Sequence, residues 1–149
     1  MKKRQFLVGV AALGFAMAMS STSVLADEKA DAKEMVDAAA KVVAANKADG
    51  LKQIQDGKFV KGEVYAFAYD LTATMLAHPK NPKLVGQNLA DKPDVEGKLF
   101  RKEIVEKAKS AGSGWVDYVY KNPTTNAVEN KTTYLKRAGD VVICAGAYK

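Results

Sequence analysis

The sequence predicts an α+β protein: one antiparallel sheet, a long helix on one face, and a layer of loop and short helix on the other. Three observations carry this. Met35, Val36, Ala39, Val42 and Val43 form one apolar stripe at helical spacing. Tyr65, Phe67 and Tyr69 alternate with Val64, Ala66 and Ala68, as in a strand covered on both sides. Three segments, 115–120, 131–137 and 141–148, close the chain as strands joined by turns.

Taken in order, Asp27 to about Gln55 reads as helix, rich in alanine and broken by Gly50 into a long piece and a short one, Leu51 to Gln55. Its stripe faces a sheet in the first reading and a partner helix in the second. Asp56-Gly57 marks a turn, and Glu63 to Tyr69 is the first strand. Asp70 begins a turn, and Thr72 to His78 reads as the returning strand of a hairpin. From His78 to Glu96 no period survives. A loop of that length is functional or disordered, and Leu84, Val85 and Leu89 need something to bury them. Gly97 to Ala111 reads as a second long helix, with Leu99, Phe100, Ile104 and Ala108 toward the core. Trp115 to Tyr120, Lys131 to Arg137 and Val141 to Tyr148 then pair as a meander.

Residues 1–26 read as a secretory signal peptide. Lys2, Lys3 and Arg4 precede an apolar run, Phe6 to Met19, and Val24 and Ala26 stand at the small-residue positions before a cut. The run is short of the roughly 20 residues that span a bilayer, though an uncleaved anchor is the alternative. The expectation is one periplasmic domain, residues 27–149. Without the three basic residues of the leader, the formal charge of +6 falls to +3. That modest excess, with no basic run interleaved with aromatics, argues against nucleic acid. Cys144 is the single cysteine, so no internal disulfide forms; it sits in an apolar strand as a small buried residue.

Catalytic signatures are absent. One histidine cannot build a metal cluster, and no Cys/His spacing exists. Ser110 and Ser113 flank Gly112 without a nucleophile motif, and Asp91 and Asp94 lie in a polar loop. The expectation is a protein that is not an enzyme and takes no cofactor. Binding is better supported. A ring-bearing sheet face under a long loop suits a small-molecule pocket. Tyr65, His78, Tyr118, Lys131 and Tyr134 are the candidate polar groups, able to donate to a buried anion.

Further short motifs stand in order along the chain: Asp56-Gly57 through Tyr69-Asp70, Leu76-Ala77-His78-Pro79, Gly86-Gln87-Asn88-Leu89, Asp94-Val95-Glu96-Gly97-Lys98, Gly114-Trp115-Val116-Asp117-Tyr118, Lys131-Thr132-Thr133-Tyr134 and Gly146-Ala147-Tyr148. Together they resemble the single Cache domain family, extracytoplasmic sensors of bacterial chemoreceptors and kinases. The resemblance implies a PAS-like sheet and a pocket for a small carboxylate such as acetate, propionate, pyruvate or lactate. It implies ligand contact at Tyr65, His78, Trp115, Tyr118, Lys131 and Tyr134. Strand parity qualifies this, since Trp115 and Tyr118 are three apart, as are Lys131 and Tyr134, and a regular strand sends such residues to opposite faces. Family members usually sit between two membrane spans; no second span is seen here, so a free-standing periplasmic sensor is expected, presenting its ligand to a membrane receptor or kinase. The competing reading is an interaction module without a ligand, docking a receptor or forming a homodimer through the N-terminal helix.

Overall fold

The computed structural model describes residues 21–149. Helix α1 runs Ser21–Ala45 and α2 Lys47–Gln55. The expected cleavage point after Ala26 therefore falls within α1, and residues 1–20 of the expected leader lie outside the described residues. The helix breaks at Asn46, not at Gly50. Asn46 is extended and its side chain accepts the Asp49 N–H at 3.1 Å, an N-cap that restarts the helix. Gly50 serves the crossing instead: a Cβ there would lie 2.6 Å from the Val43 Cα.

The strands are β1 (Val60–Lys61), β2 (Val64–Asp70), β3 (Met75–Ala77), β4 (Ser113–Lys121), β5 (Val128–Ala138) and β6 (Val141–Tyr148). They form one antiparallel sheet in the order β1-β2-β6-β5-β4, with β3 also on β2. The short strand β1 was not legible in the sequence. It pairs with the start of β2, Val60 opposite Tyr65, while β3 pairs with its end, Ala68 opposite Ala77. The returning strand is shorter than expected because the Asp70 carboxylate binds the Thr72 and Thr74 N–H groups and holds the chain in a turn up to Thr74.

Parity divides the core in two. Val64, Ala66, Ala68, Val141, Ile143 and Ala145 face α1, where Ala32, Val36, Ala39 and Val43 cover them. The small side chains let the helix approach closely. Tyr65, Phe67, Tyr69, Val116, Tyr118, Leu135, Val142 and Cys144 face the other way, under Leu89 and helix α3 (Phe100–Ala111). The α+β arrangement of helix, sheet and loop layer is the one predicted.

The long loop is ordered by backbone pairing. Met75 N–H donates to the Gln87 carbonyl at 3.0 Å, Gly86 N–H to the Met75 carbonyl at 2.9 Å and Leu89 N–H to the Ala73 carbonyl at 2.9 Å. Leu89 is buried as expected, whereas Val85 is exposed. Helix α3 starts at Phe100 rather than Gly97, and Leu99, expected in the core, is its 38% exposed N-cap residue. No helix among the described residues is long and apolar enough to cross a membrane.

Candidate ligand site between the sheet and the loop layer

Lys131 is the centre of the site. It points to the loop face of β5, is 1% exposed, and donates from Nζ to the Tyr65 hydroxyl at 3.1 Å. Its ammonium lies 4.4 Å from the Tyr65 ring centroid, 4.8 Å from Tyr148, 5.1 Å from Phe67 and 5.2 Å from Tyr120. Such a ring of π-faces stabilises a cation. Burial nevertheless pulls its pKa down to about 7, because the charged form loses its water. The stem needs space across β6, and Gly146 supplies it. A Cβ there would meet Lys131 Cε at 2.9 Å and Thr133 Oγ1 at 2.3 Å.

His78 follows β3 and is 3% exposed. Its ring packs 5.2 Å from Tyr65 and 5.6 Å from Phe67. Nδ1 accepts the Asn81 N–H at 2.9 Å, so the neutral ring carries its proton on Nε2. Burial, and then the charge of Lys131, pull its pKa down to about 3. The imidazole is therefore a neutral donor at physiological pH. Tyr65 and Tyr118 are pushed up by burial and stay protonated. The Tyr118 hydroxyl lies 2.8 Å from Thr133 Oγ1, and its ring stacks on Phe100 at 3.9 Å and 4°.

Arg101 is the residue sequence reasoning missed. It is 7% exposed, lies 4.3 Å over the Phe100 ring, and donates to the Lys92 carbonyl at 3.3 Å. Its charge opposes the rise that burial imposes on the Tyr69 and Tyr120 hydroxyls. Among the described residues, Arg101 Nε is the one buried side-chain nitrogen with no hydrogen-bond partner. The signal was present: Arg101, Ile104, Val105 and Ala108 share one helical face, so the arginine stands on the apolar stripe.

Of the six expected contacts, the structure brings together Tyr65, His78, Tyr118 and Lys131. Trp115 and Tyr134 are corrected in placement. They pair across β4 and β5 and lie on the helix face, rings 5.2 Å apart, with Lys29 above Trp115 and Lys33 above Tyr134. No bulge intervenes in that ladder, so the three-residue spacing separates each pair as parity requires.

The assembled groups are two buried cations, a neutral imidazole donor and several hydroxyls, set among rings. Neither Lys131 nor Arg101 makes an ion pair among the described residues. Such a surface complements a small anion with an apolar body. A surface cleft of about 370 Å³, lined by Asp94, Glu96, Lys98, Asp117, Asn130 and Lys149, borders Tyr118 and Lys131. Among the described residues no His/Cys/Asp/Glu group is placed to hold a metal.

The relatives of this chain are sensors. It is 33% identical over 72 residues to the methyl-accepting chemotaxis protein McpP of Pseudomonas putida, a stretch covering 48% of this chain and 13% of that receptor. The matched stretch thus spans about an eighth of the receptor's length. Among solved structures, a periplasmic sensor domain of a chemotaxis protein superposes with a TM-score of 0.69 at 26% identity, covering 88% of this chain and 99% of that one. A methyl-accepting chemotaxis protein from Vibrio parahaemolyticus has the same fold, with a TM-score of 0.72, 22% identity and coverage of 85% and 92%. So does a Cache chemosensory domain described for carboxylic acid recognition, with a TM-score of 0.71, 24% identity and coverage of 87% and 98%. The model of the family described as single Cache domain 2 matches residues 16–149, and with nearly the whole chain covered, this protein belongs to that family of sensor domains.

Proposed function

We propose that this protein is a periplasmic sensor that binds a small organic carboxylate between the sheet and the loop layer. It then presents the bound state to a membrane receptor or kinase. One observation carries the reading: Lys131 is a fully buried amine with no carboxylate facing it. A buried charge without a counter-ion is costly, and a bound carboxylate would supply that counter-ion. Arg101 Nε, Tyr65, Tyr118 and the His78 Nε2–H are the further donors within the group. Phe67 and Phe100 are apolar rings of the same buried cluster. A ligand of about six heavy atoms has a ceiling near −9 kcal/mol, which corresponds to roughly micromolar affinity at best. The carboxylic acid recognition described for a domain of the same fold supports the reading.

Thermal melting with acetate, propionate, pyruvate and lactate tests it. At a hundredfold excess over Kd, a ligand of the folded state adds about 2.7 kcal/mol of stability. Lys131→Met should melt higher than the wild type without ligand, because a buried charge is gone, and should lose the shift. A cooperative wild-type melt that none of these acids moves would refute the reading.

A further inference from the structure

Gln55, the last residue of α2, lies far from the ligand group in sequence and is joined to it by two hydrogen bonds to one residue, His78. Its Oε1 accepts the His78 N–H at 2.9 Å and its Nε2 donates to the His78 carbonyl at 3.1 Å. Strand β3 ends one residue earlier, at Ala77. The carboxamide therefore occupies both backbone groups of His78 just where strand pairing stops, as a neighbouring strand would. With the backbone held there and Asn81 N–H on Nδ1, the ring has a fixed place among Tyr65, Phe67 and Lys131, with its proton on Nε2. Helix α2 is itself located by the close approach of Gly50 to Val43.

We propose that Gln55 is a positioning residue for ligand binding: it fixes His78 as an Nε2–H donor and acts only through that imidazole. The inference rests on the carboxylate reading of the site. A glutamine that merely anchored the loop would hold the chain without setting affinity through His78. The distinction is measurable because His78 is the only histidine in the chain. Long-range nitrogen–proton NMR of the untagged protein therefore reads one imidazole.

The experiment pairs that spectrum with calorimetry of acetate and lactate on wild type, Gln55→Ala, His78→Ala and the double variant. Gln55→Ala should turn a single Nε2–H tautomer into a mixture. It should weaken binding about tenfold, the scale of one or two net hydrogen bonds. In the His78→Ala background the same change should leave affinity unaltered. Gln55→Glu, which keeps the acceptor but sets a carboxylate oxygen against the His78 carbonyl, serves should Gln55→Ala fail to fold, and should shift tautomer and affinity in the same direction. A wild-type tautomer in the Gln55 variants overturns the proposal, as does an equal loss of affinity with and without His78. If neither acid binds the wild type, the carboxylate reading fails by itself, and the tautomer still decides the role of Gln55.

Discussion

Lys131 makes folding and binding depend on pH in opposite ways, and His78 gives folding a further slope of the same sign as Lys131. Lys131 holds its proton less tightly when folded, with a pKa of about 7 against the usual 10.5. Between those values the unfolded chain carries more protons, so this group makes stability rise with pH across that window. His78 is lowered to about 3 from 6.5, so its contribution is lost as pH falls from 6.5 toward 3. Denaturant unfolding from pH 4 to 9 should show both slopes, and Lys131→Met should remove the upper one. Anion binding needs the protonated amine, so affinity should fall about tenfold per unit above pH 7, as calorimetry across pH would show. Gly146 sets the limit on this arrangement. In Gly146→Ala the new methyl meets Thr133 Oγ1, the Thr132 carbonyl and Lys131 Cε, and urea unfolding should report a loss of about 1–3 kcal/mol.

Among the elements, β4 is a sheet edge whose outward backbone groups are occupied by side chains. Lys107 Nζ donates to the Trp115 carbonyl at 2.7 Å, Lys98 Nζ donates to the Asp117 carbonyl, and Asp94 Oδ2 accepts the Val119 N–H at 3.0 Å. Asp94 and Lys98 stand at the two ends of one turn, which Asp94 Oδ1 closes by accepting the Glu96 and Lys98 N–H groups. The turn clips the long loop to the edge strand and blunts that edge against pairing with another chain. Asp94→Ala should cost about 1 kcal/mol, given a partly exposed carboxylate. Hydrogen exchange should then speed up at Val119 and Lys98 more than at Leu135, in the middle of β5.

The molecule as a whole is one sheet packed on both sides, and neither layer has a core without it. The helix-side and loop-side clusters share the backbones of β2, β5 and β6. Unfolding should therefore be a single transition. Trp115, the only tryptophan, reports the helix face and His78 the loop face. Fluorescence and imidazole NMR should give the same midpoint in urea; separate midpoints would show that the loop layer melts by itself. With ligand, both midpoints should move together.

Periodicity and turn signals determined the helices, β2 with its two faces, the three closing strands and the class of fold. The burial of each residue type on its own element is enough to write those patterns into the chain. The residues themselves offered Tyr65, His78, Tyr118, Lys131 and Tyr134 as candidate polar groups, and short ordered motifs added the family and Trp115. The break at Asn46 was within reach of capping chemistry; β1 is too short to carry a period, while β3 was read, but as Thr72 to His78 rather than Met75–Ala77. Trp115 and Tyr134 show the limit of motif reading: a motif names neighbours in sequence, but an unbroken antiparallel ladder sends residues three apart to opposite faces. Only the tertiary structure put Arg101 against the Tyr69 and Tyr120 hydroxyls, and Gln55 against His78. Those contacts join segments that no local pattern relates, and burial of a charge is decided by what the rest of the chain lays over it.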